Sequence, residues 1–530
     1  MPRRILVVVG LVMLGVLSAV SVSAQQPRKG GILQTFLNGD PTRLDVHSET
    51  GLQVQQATSG IYSGLLQYDP ENAKEIVGDL AERWEYSGGG KVVTFSLHKG
   101  VKFHDGTPFS SADVKASFDR VLNPKFPSPR CGTMVRPLIE RVEAVDPNTV
   151  RFYLKFPAAT FESAVASSWC RVVAKHILER DGDLLTAKSQ IGTGPFKFKR
   201  YVRDNIVEWE RNPNYFKPQY PHVEAVKLFI IPDITRALAA AKAGQLHLWT
   251  TSPSLSKSQA MELKNARGDA VSIFDFPMNA TWGIIPHTKK PPFDNPDIRK
   301  ALMLGLDRDE LFAKNQEGIG EPCAILSPQL YGEYALPLEE VRKMPGCRTP
   351  KTTDLEQARQ LVAKHAPNGI DMEMIARTTG GDFVNQSQLI AAQMARFNIR
   401  ARIKTMEGAA GLAAYSKGEF QMIGSQTTGM IVMDPSDVFS LIFWSQSARN
   451  WGKWEDPKVD TMIDQGLREQ DRKKRIRIYH DLQRYLYTVD SPGVVAGWLN
   501  GWYFTDKKLK NYHMPPTSYD NNTYMAVWLE

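Results

Sequence analysis

The chain has 530 residues, of which 42% are hydrophobic and 23% are charged, with 39 Gly, 33 Pro and a formal net charge of +8. These proportions are typical of a globular protein and exclude a disordered, collagenous or coiled-coil chain. At roughly 150 residues per domain, the length predicts two to four lobes with room for a cleft between them.

Residues 1–24 have the pattern of a secretory signal peptide. Arg3 and Arg4 precede an apolar run at 5–20, and small residues at 22–24 suit a cleavage site. A signal anchor is the alternative, but the apolar run is short for a spanning helix and polar residues follow it at once. No Cys follows the cut and no later stretch approaches about 18 consecutive apolar residues, so we expect a soluble periplasmic protein.

The charge distribution argues against a nucleic-acid partner. Cleavage would remove two arginines and no acidic residue, so the net charge falls from +8 to +6. The densest basic run, at 472–477, lies in a helix-like segment beside acidic residues, which is typical of a solvated helix face. An exported chain without a basic and aromatic array is a poor candidate for binding nucleic acid.

Four cysteines remain, and they are too widely spaced for CxxC redox or zinc motifs. They are Cys131, Cys170, Cys323 and Cys347. In an oxidising compartment this pattern predicts two disulfides, although four cysteines allow three connectivities. Sequence order favours the pairs 131–170 and 323–347.

The first half of the chain reads as alternating strands and helices. A strand at 31–36 is followed by a polar loop at 38–51 and a helical stretch that ends at 61–66. The later segments fit two strands, 92–97 and 150–154; a helix that starts at 111–114 with Ser111 as its N-cap; two paired strands, 196–201 and 206–211; and a strand at 226–231 that leads into a helix at 234–243 closing at Gly244.

The second half contains the most legible unit. A strand at 371–376, an amphipathic helix at 383–397 and a strand at 399–406 form a βαβ crossover, so part of the sheet is parallel. Further helices are expected at 411–417, 458–467 and 471–489. No repeat or low-complexity linker separates the segments, so the pattern favours interleaved α/β lobes.

Motifs of catalysis and metal binding are missing from the sequence. We find no GxSxG, HExxH, P-loop, GxGxxG or paired CxxC, and the Gly-rich segment 192–195 reads as a turn into a strand. The ten histidines form no pair at i, i+3 or i+4. We therefore expect no cofactor, no metal site and no enzyme; a secreted hydrolase that uses Ser425 and His47 is a remote alternative.

Nine segments together carry a resemblance to a known family. They are residues 62–66, 79–84, 95–109, 112–114, 191–196, 210–216, 291–294, 298–302 and 306–308. The second half of the third segment, for example, reads Phe103-His104-Asp105-Gly106-Thr107-Pro108-Phe109. The combination strongly resembles the family 5 extracellular solute-binding proteins of ABC transporters, the oligopeptide, dipeptide and nickel-binding type, from about residue 30 to the C-terminus.

The resemblance implies a hinged, two-lobed α/β periplasmic-binding-protein fold, type II and cluster C-like, with an extra inserted domain. Lobe I would comprise 25–60, 190–280 and 494–530, the inserted domain 61–189, and lobe II 281–493. It also implies a monomer that closes on a small solute and delivers it to an ABC permease in the cytoplasmic membrane.

A ligand stabilises the closed form only by touching both lobes, so we expect site residues from both. The loop at 424–434, which follows a strand at 420–423, is the best candidate for direct contact. The candidate ligand residues are His47, Glu49, Arg171, Trp282, Arg377, Gln426, Thr427, Thr428, Met430, Asp434 and Trp498.

The sequence departs from the peptide-binding pattern at 429–435. The peptide-binding members of the family that this chain resembles have a segment similar to Gly-Trp-x-x-Asp-Tyr-x-Asp-Pro there. Its first Asp pairs with the amino terminus of the peptide. This chain has Ile431 three residues before Asp434. Because a buried ammonium without a carboxylate partner is costly, an ordinary α-amino peptide held in that way is not expected.

Two arginines point to an anionic ligand. The resemblance to the nickel-type branch places a site arginine at Arg171, and Arg377 lies at a predicted strand end. An arginine suits a carboxylate through bidentate hydrogen bonds. We expect a modified peptide, an opine or another carboxylate-bearing compound, with a metal chelate of the nickel type as the alternative.

Overall fold

A computed structural model of the protein describes residues 26–49, 51–73, 75–249, 254–378, 382–447, 449–489, 494–514, 517 and 523–530. The predicted signal peptide, residues 1–24, lies outside these ranges. Within them, no helix combines the length and the apolar character needed to cross a membrane.

The strands are β1 (Ile32–Leu37), β2 (Leu66–Tyr68), β3 (Ile76–Gly78), β4 (Ala81–Ser87), β5 (Val92–Leu97), β6 (Ile139–Asp146), β7 (Thr149–Leu154), β8 (Phe196–Val202), β9 (Ile206–Arg211), β10 (Ala225–Ile230), β11 (Val271–Pro286), β12 (Glu321–Pro322), β13 (Ile370–Arg377), β14 (Ile399–Met406), β15 (Met422–Gly429), β16 (Val494–Asp506), β17 (Leu509–Lys510) and β18 (Trp528–Leu529).

The α-helices are α1 (Leu52–Thr58), α2 (Ser111–Leu122), α3 (Cys131–Val135), α4 (Phe161–Ala166), α5 (Lys175–Asp181), α6 (Ile234–Lys242), α7 (Lys257–Arg267), α8 (Pro296–Gly305), α9 (Arg308–Asn315), α10 (Pro328–Tyr331), α11 (Leu338–Val341), α12 (Thr352–His365), α13 (Phe383–Met394), α14 (Gly408–Lys417), α15 (Pro435–Ile442), α16 (Pro457–Arg468) and α17 (Arg472–Leu486). Short 3₁₀ turns lie at Gly88–Gly90, Ala187–Ser189, Gly268–Ala270, Gly332–Tyr334 and Ala395–Phe397.

Lobe I is built on a four-stranded sheet in the order β1–β10–β9–β8. β1 and β10 are parallel, and β8 and β9 form the antiparallel pair that their alternation predicts. β10 leads into α6, as expected, and Gly244 follows the helix with a left-handed φ of 75°. This sheet supplies the frame from which the loops of lobe I extend.

The helix predicted to end at 61–66 is shorter than expected. α1 ends at Thr58, because the next carbonyl groups bond elsewhere: Gly60 O accepts from Phe196 N at 3.0 Å and Ile61 O accepts from Gly194 N at 2.9 Å. An added Cβ on Gly60 would lie 2.6 Å from the Trp209 ring. The chain therefore turns away and enters β2.

The region 61–189 contains an antiparallel sheet in the order β4–β5–β7–β6. β5 and β7 are the two strands predicted at 92–97 and 150–154, and they pair directly. The N-cap of α2 is Ser110 rather than Ser111, because Ser110 forms a capping box with Asp113. Ser111 Oγ instead donates to Asp146 O.

A six-stranded sheet in the order β12–β16–β11–β15–β13–β14 combines strands of lobe II with β16 and the first part of β11, which the resemblance places in lobe I. β13, α13 and β14 form the predicted crossover, with β13 and β14 parallel. The prediction of a loop at 424–434 is wrong in its first half, since β15 extends to Gly429. Its polar residues are part of the ladder, where Thr427 pairs with Trp282 and Thr428 with Thr281.

The basic run at 472–477 begins α17 and is mostly exposed, as predicted for a solvated face. Arg475 is the exception: it is 5% exposed. It is buried because its guanidinium pairs with Asp434, 41 residues earlier in the chain. The prediction that the whole run 472–477 is a solvated helix face is therefore wrong at Arg475.

β11 and β16 join the two lobes. Their ladder pairs Val271 with Asp506 at one end and Gly283 with Val495 near the other. Val271 and Phe504 belong to a core with α6 and α7, whereas Trp282 and Ala496 belong to a core with α8 and α12. One antiparallel pair therefore takes part in the cores of both lobes.

Two disulfides are present, and they are the pairs that sequence order favours. Cys131 bonds to Cys170 across 39 residues, and Cys323 bonds to Cys347 across 24 residues. Cys170 directly precedes Arg171, and the backbone N–H of Cys323 donates to Ala496 O of β16 at 2.8 Å. The cross-links thus lie beside a predicted ligand residue and beside a strand that joins the lobes.

Replacing either pair by alanines should lower stability by about 3–4 kcal/mol, because each loop closure is then no longer imposed on the unfolded chain. Denaturant unfolding of Cys131→Ala/Cys170→Ala and Cys323→Ala/Cys347→Ala, against the wild type under oxidising conditions, measures this. With dithiothreitol present throughout, the wild type should approach the variants; an unchanged midpoint in both variants would contradict the expectation.

Candidate functional site

Arg377 and Gln426 are brought together by neighbouring strands. Arg377 ends β13, and its Nη2 donates to Gln426 Oε1 of β15 at 3.2 Å. The guanidinium lies 4.8 Å from the Phe383 ring centroid and 5.7 Å from that of Tyr415. Two aromatic rings and one amide therefore hold a positive charge in a fixed orientation at the end of the sheet.

The arginine is enclosed but not neutralised by an acid. Arg377 is 9% exposed, and among the described residues no carboxylate forms an ion pair with it. Burial raises the pKa of Tyr415, while the charge of Arg377 opposes that rise. A buried guanidinium without an acidic partner favours the arrival of an anionic group.

Trp282 and Trp498 lie in the cores of lobe II. Both are fully buried, and both indole N–H groups are used, by Ser425 Oγ at 2.8 Å and by Ile325 O at 3.1 Å. Thr427 shares a face with Trp282, whereas Gln426 and Thr428 point to the other face because side chains alternate along β15. We assign the two tryptophans to the architecture.

The segment 430–433 connects two hydrophobic cores. Met430 is buried in a core of lobe II, whereas Ile431, 7% exposed, belongs to the core of lobe I and region 61–189. Met433 packs against both. In the peptide-binding pattern an aspartate stands at this position. Here position 431 carries an apolar side chain that is inserted into the core of the opposite lobe.

Asp434 is engaged within lobe II. Its carboxylate accepts from Arg475 at 2.6 and 2.9 Å and caps α15 through Ser436 N at 2.9 Å. Asp434 is 7% exposed. Because its oxygens already bind the Arg475 guanidinium and the N-terminus of α15, we infer a structural role for this predicted ligand residue.

A second carboxylate lies behind the same segment. Asp437 Oδ2 accepts from the backbone N–H groups of Ile431 at 2.6 Å and Val432 at 3.3 Å. Burial raises the pKa of Asp437 to about 6, against the opposing effect of these two hydrogen bonds. Asp437 fixes the backbone of the segment and leaves Ile431 free to reach across the interface.

Asn279 is a candidate that sequence analysis missed. It lies on β11, its Oδ1 accepts from Tyr331 O–H at 2.8 Å, and its backbone carbonyl accepts from Met430 N at 2.9 Å. Its Nδ2 is buried and has no hydrogen-bond partner among the described residues. A lone asparagine in a strand gives no sequence signal, so only the fold reveals this donor beside the segment 430–433.

His47 is held in a buried network with Asp45 and Arg120. Both nitrogens of the Arg120 fork donate to Asp45, at 3.0 and 2.5 Å, and Arg120 Nη1 lies 3.4 Å from His47 Nδ1. Since a guanidinium only donates, Nδ1 accepts and the proton lies on Nε2. Nε2 then donates to Arg171 O at 2.8 Å.

This network keeps His47 neutral and fixes the backbone of Arg171. Burial, reinforced by the Arg120 charge, lowers the pKa of His47 to about 4. For Asp45, burial alone would raise the pKa, but the Arg120 hydrogen bond and charge hold it below its usual value. His47 is 1% exposed and Arg171 3% exposed, so His47 supports Arg171 from the protein side.

Glu49 lies at the end of the same loop and is less constrained. It accepts from Thr42 Oγ1 at 2.9 Å, and Arg43 Nε lies 3.6 Å from its carboxylate. These contacts stay within the loop. Glu49 lies in lobe I and Arg171 in the region 61–189, whereas the cluster around Arg377 lies in lobe II.

The two residues of the hydrolase alternative do not form a pair. Ser425 Oγ bonds to Trp282 and Gln386 in lobe II, whereas the ring nitrogens of His47 bond to Arg120 and Arg171 of the region 61–189. The described residues contain no group of three or more potential metal ligands. The arrangement suits recognition by a fixed cation, amides and apolar side chains.

Two sheet-based lobes joined by paired strands, with an enclosed arginine and an interface segment between them, define a hinged binding protein. A family comparison agrees: residues 75–450 match the bacterial extracellular solute-binding proteins, family 5. The chain belongs to this family, whose members are extracytoplasmic solute-binding components of ABC importers.

Known relatives cover nearly the whole chain. A probable di/tripeptide-binding protein 5 of Pseudomonas aeruginosa is 27% identical over 95% of this chain and 97% of its own. The periplasmic binding protein DppA of Helicobacter pylori, solved with the peptide STSA, has a TM-score of 0.79 and 25% identity over 95% and 99% of the two chains. AgaA of A. tumefaciens R10, solved with agropinic acid, shares the fold with a TM-score of 0.77 and 24% identity over 94% and 99%.

The buried His47 predicts an acid-dependent loss of stability. Its pKa of about 4 in the folded protein is below its unfolded value, so folding opposes protonation and stability falls as the pH drops through this interval. His47→Gln keeps a donor for Arg171 O but does not titrate. The stability advantage of wild type over the variant should shrink by about 2 kcal/mol between pH 7.5 and pH 5. Urea unfolding at both pH values tests this, and a constant difference would contradict it.

Proposed function

We propose that the protein is the periplasmic solute-binding component of an ABC importer, acting as a monomer, and that it closes on a small carboxylate-bearing solute without a free α-ammonium group. Modified peptides and opines are the compound classes that fit. The observation that carries this proposal is the insertion of Ile431 into the core of the opposite lobe.

Position 431 supports the exclusion of a free ammonium. An ammonium placed against Ile431 would lose its water and gain no counter-charge, which costs several kcal/mol. The nearest carboxylates are committed, Asp434 to Arg475 and Asp437 to the backbone of 431 and 432. Peptides with a free amino terminus are therefore disfavoured at this point.

Arg377 supports the carboxylate. Its guanidinium is oriented by Gln426 and two aromatic rings before any ligand arrives. A fixed fork loses little conformational entropy when it binds a carboxylate bidentately. The adjoining Gln426 and Thr428 offer amide and hydroxyl groups for the polar atoms next to that carboxylate. Glu49 of lobe I and Arg171 of the region 61–189 are the proposed contacts from the opposite side.

A ligand panel with an Arg377 variant tests the anionic site. The mature protein, unfolded and refolded to remove carried ligand, is titrated calorimetrically with agropinic acid, N-acetylated dipeptides, unmodified dipeptides, and nickel with and without chelators. We expect binding of at least one acidic compound without a free α-amine, weakened by about 10- to 100-fold in Arg377→Met, since a charge-assisted hydrogen bond is worth about 1.5–3 kcal/mol.

Arg402→Met is the matched control, because Arg402 is an exposed arginine of the same sheet that pairs with Glu373. It should leave affinity unchanged. Equal affinity in Arg377→Met and wild type would remove Arg377 from the site. Tight binding of unmodified dipeptides by the wild type, with none of the acetylated compounds, would overturn the proposed ligand class.

Ile431→Asp should open the chain to ordinary peptides. The new carboxylate would be buried without a partner, so the ligand-free variant should be less stable than wild type by about 2–4 kcal/mol. A dipeptide ammonium would supply the missing charge, so Met-Leu should raise the melting temperature of the variant and not of the wild type. Ile431→Asn, equal in size and uncharged, is the control; a similar shift in both variants would contradict the proposed reason.

A further inference from the structure

Two contacts between lobe II and the rest of the molecule, besides the β11–β16 pair and the hydrogen bond from Ser258 N to Glu317, lie far apart in the chain. One is the segment 430–433, with Ile431 in the lobe I core. The other is the corner between α16 and α17, where Leu467 O accepts from Ala159 N of region 61–189 at 3.3 Å. There the Arg468 guanidinium lies 4.3 Å from the Phe156 ring centroid.

Arg475 bonds to both places at once. Its Nη1 and Nη2 donate to Asp434, the residue that directly follows the segment 430–433, at 2.9 and 2.6 Å. Its Nε donates to Gly466 O at 2.8 Å, directly before Leu467 and Arg468. A single planar group thus fixes the distance between the two contact points.

The surroundings of Arg475 leave it little freedom. Its Nη2 also lies 3.3 Å from Tyr479 O–H, and its guanidinium carbon is 5.2 Å from the Tyr479 ring centroid and 5.7 Å from that of Tyr334. Each of the three nitrogens of the guanidinium donates at least one hydrogen bond inside lobe II. A lysine could keep the charge near Asp434 but could not reach Gly466 O with a second fixed donor.

We infer that Arg475 is a positioning residue that makes the segment 430–433 and the α16–α17 corner one rigid closing face, and that this face holds the lobes closed without a bound solute. The inference rests on the lobe closure of the proposed function but not on the identity of the solute. Since both contacts cross between lobes, loosening either one relative to the other weakens closure as a whole.

A substitution of Arg468 tests the same closing face independently of Arg475. It is half exposed, and Asp464 accepts from its Nε at 2.8 Å, which orients the guanidinium over Phe156. Removing its side chain should leave the fold of lobe II intact, because these contacts are at the surface. Arg468→Ala therefore changes the closing face with little effect on unfolding.

The test measures closure in solute-free, refolded protein. Spin labels on Glu140→Cys in β6 and Ala363→Cys in α12, both exposed positions in different lobes, report the interlobe distance by pulsed electron resonance. Wild type should show a populated short distance. In Arg475→Lys and in Arg468→Ala the ratio of closed to open protein should fall by about tenfold, as loss of one charge-assisted hydrogen bond or ring contact allows.

Arg136→Lys is the matched control, since the Arg136 side chain also joins backbone carbonyls, those of Val121, Asn123 and Phe126, and these partners all lie within the region 61–189. Its closed fraction should equal that of wild type. A wild type with only the long distance, or an equal loss of closure in Arg136→Lys, would overturn the inference. Because no solute is present, neither outcome bears on the ligand class.

Hydrogen exchange covers the case in which Arg475→Lys fails to fold. In Arg468→Ala the amides of Ile431 and Val432, bonded to Asp437, should exchange faster although the mutated residue does not touch them. Unchanged exchange at 431 and 432, with a reduced closed fraction, would show that the two contacts act separately and that Arg475 does not couple them.

Discussion

The pairing of β11 with β16 is the constraint on which the rest of the structure depends. Each strand contributes side chains to the cores of both lobes, so neither lobe can complete its packing without this pair. Between Pro277 and Thr281 three residues of β11 face one residue of β16, and the ladder is interrupted there. A bulge of this kind concentrates bending where few backbone hydrogen bonds are lost.

The binding residues are placed relative to that interruption. Asn279 lies within it and accepts the Met430 amide, so the segment that crosses to lobe I is tied to the bending point. Arg377 lies two strands away, at the end of β13, and moves with lobe II. In the proposed function, closure would bring the preoriented Arg377 and the apolar Ile431 toward lobe I together, so that a solute would meet both at the same time.

Much of the fold follows from short-range pattern in the sequence. Alternation identifies β8 and β9, and the strand, helix and strand around α13 are set by their periodicities and by turn residues. The full length of β15 is not predicted by local sequence, because Ser425, Gln426, Thr427 and Thr428 have the composition of a polar loop. They form a strand because they pair with the neighbouring β11. Burial of Arg475 likewise depends on Asp434, 41 residues away, which no local pattern in a basic run reveals.

The candidate site shows the same division. The absence of aspartate at position 431 and the presence of Arg377 can be read from the sequence once the family pattern is applied. The roles of Trp282, Trp498 and Asp434 in the core and of His47 beside a backbone carbonyl depend on long-range contacts. The same holds for the Asn279 donor, which has no partner in the part of the chain that the structure describes. Polar groups in particular take their roles from the partners that the fold supplies.

In the proposed function, Ile431 joins ligand preference to packing in one side chain, which limits how this position can change in evolution. Substitutions at a purely polar site can drift with little effect on folding, but any change of charge at position 431 also removes apolar contact between the lobes. Lineages that acquire a different solute through this position must pass through less stable ancestors or compensate elsewhere first. The packing between the lobes at this position therefore constrains the proposed ligand selectivity as well.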